Sequence, residues 1–393
     1  MSQLPTSHVP RATSHGFFQL LKKDAHTRAR RGVLTTPHGT IQTPFFMPVG
    51  TNGTVKTLSS EDLLEMRSQI VLSNTYHLFI RPGTEVIKTA GSLHKFMNWD
   101  KPILTDSGGY QVFSLAQLRK LTDEGVEFQS HFDGKTHFLR PEDVISIERV
   151  LNSDIMMPLD ECAPFPCDRE HAEKALVRTT LWAERSKAFY FSRELPKDRQ
   201  LLFGIIQGAA FPDLRERSAR EIIDIGFDGY AVGGVSVGEP EALMFETLDW
   251  VEPLLPSEQP RYFMGIGYPD QIVRAVGMGM DMFDTVIPTR FGRNGAAFSD
   301  RGRLAMRNAE YASDMRPLDE TCECVVCRKY SRAYIRHLLN AGEILGLKLL
   351  AYHNVCFYIH LMERMRKALD EGRFKEFHDH FLANFKPNSE GPL

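Results

Sequence analysis

Eight short apolar runs, most of them ending at a polar residue or glycine, constrain this chain more than any other feature. They occupy 44–49, 69–72, 102–104, 154–159, 201–206, 230–232, 261–264 and 282–287. Helical patterns lie between several of them. The stretch 141–151 opens with a proline in the first turn, where a missing N–H does no harm. Asp168 is placed to cap an amphipathic stretch reaching about residue 191. The stretch 213–225 closes on Gly226, a favoured helix stop, and Tyr268-Pro269-Asp270 introduces another helix up to Gly277. Strand-like runs alternating with helices eight times over predict an α/β chain folded as a (β/α)8 TIM barrel rather than an open sheet. Barrels of this kind carry their chemistry at the carboxyl ends of the strands. Asp106, Asp160, Gln207, Gly233, Gly234 and Gly265 all fall there.

The same reading divides the chain into a polar N-terminal tail (1–15), a barrel (16–297) and a C-terminal zinc-binding helical subdomain (298–393). Asp133-Gly134, between runs 126–131 and 136–139, signals a hairpin within an insertion at about 122–140, over the barrel mouth. Helical stretches are expected at 330–340 and 351–369. The net charge is −3, so a nucleic-acid site has to be a local patch; the window 286–336 holds 10 Lys and Arg against 6 Asp and Glu. No apolar run approaches the ~20 residues that span a bilayer, and the N-terminus lacks the apolar core of a signal peptide. The expectation is a cytoplasmic protein with no membrane partner.

Three of the six cysteines crowd into Cys322-x-Cys324-x-x-Cys327. Without an export signal, that clustering favours a metal over disulfides. Tetrahedral zinc needs a fourth ligand, for which His353 is the best placed, followed by His337 and then His360. Four protein ligands leave no open position, so the Zn2+ is expected to be structural, one per subunit. Cys162, Cys167 and Cys356 read as separate from this group.

The stretch 280–295, MDMFDTVIPTRFGRNG, places Asp284 in the middle of the eighth apolar run. A carboxylate there has a desolvation cost and needs a partner or a job. Pro288 reads as the end of the strand, with Arg290 and Arg293 following on a loop suited to phosphate. Asp106, Asp160 and Asp284, at the ends of strands three, four and eight, would converge on one pocket. Two such acids can act as nucleophile and general acid/base at an anomeric carbon, and a third can read an N–H-rich base edge. Glycine pairs at 265/267 and 277/279 lack the third glycine and the strand–turn–helix context of a dinucleotide fingerprint.

TDSGGYQVFSL, MPLDECAPFP, GIIQGA, AVGGVSVGE, YFMGIG, DMFDTVIPTRFGRNG and CxCxxC with a later AYHN together resemble the tRNA-guanine transglycosylases, also called queuine tRNA-ribosyltransferases, over roughly residues 17–385. The resemblance implies base exchange at the guanine wobble position of certain tRNAs. Asp284 would be the nucleophile that forms a covalent ribose intermediate, and Asp106 the general acid/base. Ser107, Tyr110, Asp160, Cys162, Gln207, Gly233, Gly234, Val235 and Met264 would bind the base, with Tyr110 and Met264 sandwiching its ring. Gly265, Ile266, Gly267, Tyr268, Pro269, Asp270 and Gln271, with Thr289, Arg290, Phe291, Gly292 and Arg293, would meet the anticodon loop. The zinc ligands carry over as Cys322, Cys324, Cys327 and His353. Cys162, Val237 and Tyr110 match bacterial members, which insert free 7-aminomethyl-7-deazaguanine; eukaryotic members insert queuine. Val235 departs from the leucine common in the bacterial type. A homodimer is implied, with Phe96, Trp99, Tyr330, Tyr334 and His337 matching its aromatic contacts. The competing readings are a retaining glycoside hydrolase on the same barrel and a non-catalytic tRNA-binding subunit.

Overall fold

The computed structural model describes residues 16–111 and 119–386. The expected polar tail at 1–15, residues 112–118 within the TDSGGYQVFSL motif, and the last seven positions of the expected C-terminal subdomain lie outside the described residues.

The eight apolar runs form eight parallel strands: Phe45–Pro48, Val71–Asn74, Ile103–Asp106, Ile155–Met156, Leu201–Ile206, Gly229–Val232, Arg261–Phe263 and Met282–Thr285. Each pairs with its neighbours in sequence order, and the eighth returns to the first with Asp284 opposite Met47. The ring closes between strands one and two through the Val49–Leu72 bridge, where Gly50 N donates to Leu72 O at 2.6 Å. The chain is thus a (β/α)8 barrel. Alternate strand residues point inward. Phe45, Met47, Leu104, Ile155, Phe203, Ile205, Ala231, Tyr262 and Met282 fill the interior, while a second, larger core lies between strands and helices.

The helices at Pro141–Leu151, Arg169–Phe191, Pro212–Ile225 and Pro269–Gly277 follow the sequence pattern, with Asp168 accepting from His171 N and Gly226 at the expected helix end. Three elements differ from expectation. The eighth strand stops at Thr285, so Asp284 stands at its carboxyl end, and Ile287–Arg293 is a helix rather than a loop. Pro288 sits in that helix's first turn, where it starts a helix as readily as it ends a strand. The insertion is a three-stranded antiparallel sheet, Arg119–Thr122, Gly125–Gln129 and Thr136–Leu139, not a lone hairpin. The fourth strand is only two residues long.

A further antiparallel sheet, Phe18–Lys23, Arg30–Thr36 and Gly39–Thr43, was not legible in the apolar pattern. Its Phe18, Leu34 and Ile41 join the interior core and close the amino-terminal end of the barrel. Two polar contacts, the first fully buried and the second partly so, tie it there. Arg30 grips Asp281 with Nε and Nη2 at 3.0 and 2.9 Å, and His38 meets Asp154 at 2.9 Å.

The C-terminal part begins with a hairpin, Ala296–Ser299 and Gly302–Ala305, and ends with helices Arg332–Ala341, Ile344–Asp370 and Phe374–Asn384. Helix Ile344–Asp370 packs closely on helix Ile287–Arg293. A Cβ at Gly292 would lie 2.6 Å from Ala351 N, so only glycine permits that approach. By length and composition alone this long helix could cross a membrane, but 72% of its most apolar window is buried inside the fold.

Candidate active site

A cavity of about 460 Å³ opens at the carboxyl ends of the strands. Asp106, Asp160 and Asp284 all line it, together with Ser107, Tyr110, Cys162, Gln207, Gly233, Gly234, Val235, Val237, Met264, Gly265 and Arg290. Every residue expected to bind the base therefore faces one space.

The three carboxyl groups have different surroundings. Asp106 Oδ2 accepts from Asn74 Nδ2 at 2.7 Å, and its Oδ1 accepts from Gly108 N at 3.2 Å. Burial raises its pKa, the Asn74 hydrogen bond opposes the rise, and the nearby Asp284 charge adds to it; the net result is about 7. Asp160 accepts from Ser107 Oγ at 2.9 Å and from Gln207 Nε2 at 2.8 Å. Burial raises its pKa to about 6 against those two donors. Asp284 Oδ1 accepts from Tyr262 Oη at 2.6 Å and from Gly265 N at 2.9 Å. Its pKa is raised by burial, and the same two donors hold the rise back. Both donors load one oxygen of Asp284, and the residue lines the cavity.

Three residues in this arrangement escaped the sequence reading. Asn74 serves twice: its Oδ1 caps the helix Thr75–Ile80 by accepting from His77 N, which aims its Nδ2 at Asp106. Tyr262, on strand seven, lies two positions before Met264, and both line the cavity; that spacing was the available signal. Arg215, fully buried, donates to the carbonyls of Ile206, Ala209, Gly233 and Gly234. No local pattern distinguishes it from an ordinary helical arginine.

The segments expected to meet an RNA loop divide by exposure. Gly265 and Arg290 are exposed, and Tyr268, Asp270, Gln271, Phe291 and Arg293 are partly so. Ile266, Gly267, Pro269, Thr289 and Gly292 are buried and shape these segments from below. Tyr358 Oη, from the long C-terminal helix, donates to Gly267 O at 2.6 Å and supports the rim.

A separate cluster gathers Cys322, Cys324, Cys327 and His353, whose ligand atoms all lie within 4.8 Å of one another and could hold a metal ion. His353 Nδ1 is 3.8, 3.6 and 3.3 Å from the three sulfurs. Usual zinc bond lengths in a tetrahedron put such a nitrogen–sulfur edge at about 3.6 Å. His353 Nε2 donates to Phe298 O at 2.7 Å, which leaves the Nδ1 lone pair for an ion. His337 is exposed and outside this group. Cys356, expected to be separate, borders the same cleft beside His360, with its sulfur 3.7 Å from Nε2.

Among the expected aromatic surface contacts, Phe96, Tyr334 and His337 are exposed, and Tyr330 stacks on Tyr334 with ring centroids 5.6 Å apart. Trp99 is in the core, 2% exposed, and its indole N–H donates to Pro102 O, so it takes no part in a surface.

A family model described as queuine tRNA-ribosyltransferase matches residues 24–387. A queuine tRNA-ribosyltransferase from Desulforamulus reducens is 57% identical over 364 residues, 93% of this chain and 97% of the relative. One from Pelotomaculum thermopropionicum is 54% identical over 369 residues, 94% and 98% of the two chains. One from Caldanaerobacter subterraneus is 52% identical over 373 residues, 95% and 98%.

Proposed function

Because the chain belongs to the queuine tRNA-ribosyltransferase family, we propose that it is a tRNA-guanine transglycosylase that replaces the wobble guanine of a tRNA with 7-aminomethyl-7-deazaguanine. The observation that carries this reading is the single cavity holding Asp106, Asp160 and Asp284 in three different hydrogen-bonding environments. The free oxygen of Asp284 attacks the ribose anomeric carbon, forming a bond to C1′ as the bond to guanine N9 breaks. Guanine is a poor leaving group unless it is protonated as it departs, so an acid must stand on its side of the sugar. Asp106 supplies that proton, since it stays protonated up to about pH 7. As a carboxylate it then removes a proton from the incoming base, whose nitrogen displaces Asp284 from C1′. Two inversions preserve the β configuration that tRNA requires.

Asp160, held by Ser107 and Gln207, accepts from the N–H edge of the base. Gln207 has a second amide hydrogen, which with the Gly234 N–H donates to the exocyclic oxygen of the base. The guanine must be splayed out of the anticodon loop to reach the cavity. Arg290 on its helix, with Gly265 and Gln271 on the neighbouring rim, meets the phosphates around it. Cys162, Val235 and Val237 wall the end of the cavity that would take the aminomethyl group. The runner-up reading, queuine as the incoming base, needs room there for a cyclopentenediol.

The donor set of Cys322, Cys324, Cys327 and His353 suits one structural zinc, which would tie the cysteine loop to helix Ile344–Asp370 in a zinc-binding subdomain at 298–393. Reduced thiols of this kind suit the cytoplasm. A homodimer using Phe96, Tyr330, Tyr334 and His337 belongs to the same reading.

Three experiments test these assignments. Asp284→Ala should abolish the covalent tRNA adduct, read by denaturing gel, while tRNA binding survives; an adduct in that variant would remove Asp284 as the nucleophile. With 7-aminomethyl-7-deazaguanine and queuine competing for exchange into a tRNA with a guanine wobble base, the first should dominate the product, and preferential queuine insertion would favour the runner-up. Cys324→Ser should lower the zinc content and the melting temperature, and unchanged metal content would strike Cys324 from the ligand set.

A further inference from the structure

Arg215 is a buried guanidinium whose hydrogen bonds, among the described residues, run to backbone carbonyls and to no carboxylate. It enters from the first turns of helix Pro212–Ile225, after strand five. Nη1 donates to Gly233 O at 2.6 Å and to Ile206 O at 3.2 Å, Nη2 to Gly234 O at 2.8 Å, and Nε to Ala209 O at 2.7 Å. The charged group acting on it is Glu239; the nearby Cys162 thiol is kept uncharged by burial, its pKa pushed up to about 12. Glu239 is itself engaged, accepting from Ser236 N and from Val237 N. An arginine held inside a protein without a bonded carboxylate has a large desolvation cost, so its carbonyl partners must be strongly oriented towards it.

That orientation has a geometric consequence. In a trans peptide the C=O and the N–H point in opposite directions. Turning the Gly233 carbonyl towards Arg215 therefore turns the Gly234 N–H away from it, and the Gly234 carbonyl does the same for the Val235 N–H. Among the described residues neither amide has a hydrogen-bond acceptor, and both residues line the cavity. Gly234 holds φ +60, and a Cβ there would lie 2.3 Å from Gln207 Oε1, so the turn admits little other than glycine. Ser236 also has φ +60. The loop after strand six is thus held in an unusual conformation from two sides, its carbonyls by Arg215 and its next amides by Glu239.

We infer that Arg215 is a positioning residue which aims the Gly234 and Val235 amides into the cavity and thereby selects a base with a strong exocyclic acceptor at the 6-position. This rests on the base-binding reading of the cavity given above. Arg215 touches no base itself and acts through two peptide planes.

The test compares binding of 7-deazaguanine and its 6-thio analogue to the full chain by calorimetry. The pair keeps the N–H edge read by Asp160 and changes only the exocyclic acceptor. The wild-type protein should prefer the oxo base by about tenfold, the scale of a well-made polar contact to a buried site. In Arg215→Gln the preference should fall to within about threefold of unity. A merely structural role would weaken both bases alike and leave the ratio unchanged, and that result overturns the inference. If Arg215→Gln loses its cooperative melting transition, Arg215→Lys is read instead; it keeps the charge but has one nitrogen for four carbonyls. A lowered ratio in the lysine variant supports the inference, and a wild-type ratio overturns it. Equal binding of the two bases by the wild-type protein would instead contradict the base-binding reading itself.

Discussion

Desolvation of carboxyl groups at the mouth of the barrel governs the rest of the site. A closed barrel holds Asp106, Asp160 and Asp284 where water cannot fully serve them, so each group's state is set by the donors the fold supplies. Asp106 has an asparagine and the backbone amides of Thr75 and Gly108, Asp160 a serine and a glutamine, and Asp284 a tyrosine and a backbone amide. Among the described residues none of them has a cation bonded to it. The far end of the same barrel offers the contrast. Burial raises the pKa of Asp154 as well, but hydrogen bonds from His38 and His94 outweigh it and leave the group near 2. Burial is similar at both ends; the choice of partner separates an acid that keeps its proton from one that never takes it.

The two ends also divide stability from chemistry. At the amino-terminal end, Arg30 with Asp281 and the histidines with Asp154 tie a three-stranded sheet across the barrel floor. The Arg30–Asp281 pair and Asp154 are buried in that floor. At the carboxyl end, Asp284, Gly234 and Val235 line an open cavity. Strands four to eight thus carry a fixed floor at one end and a cavity at the other. The long helix Ile344–Asp370 braces that mouth from outside, through Gly292 and through the Tyr358 contact to Gly267.

Much of this was legible in the sequence because the barrel imposes a repeating pattern. Apolar runs that end in polar residues mark where strands stop, and those stops lie in one plane, so Asp106, Asp160, Gln207 and Gly233-Gly234 could be brought together before any coordinates. The cysteine spacing and His353 were legible for a different reason: thiols so close together have few other uses. What stayed hidden depends on geometry that local sequence does not encode. Arg215 looks like one of several arginines on an amphipathic helix, and Tyr262 looks like a core aromatic. The sheet at 18–43 alternates too weakly to stand out, and its role comes from covering a floor that exists only once the barrel has closed. Pro288 shows the limit of local punctuation, since the residue that ends a strand here begins a helix.

The central claim is that Asp106 retains its proton to near neutrality while sharing a cavity with a second carboxylate. Carbon-detected NMR titration of the aspartate side chains, with Asp106→Asn for assignment, measures this directly. The account predicts a carboxyl resonance with an apparent pKa near 7 that vanishes in the variant. An Asp106 resonance titrating near the ordinary value of about 4 would contradict it, and the proton for the departing base would have to come from another group.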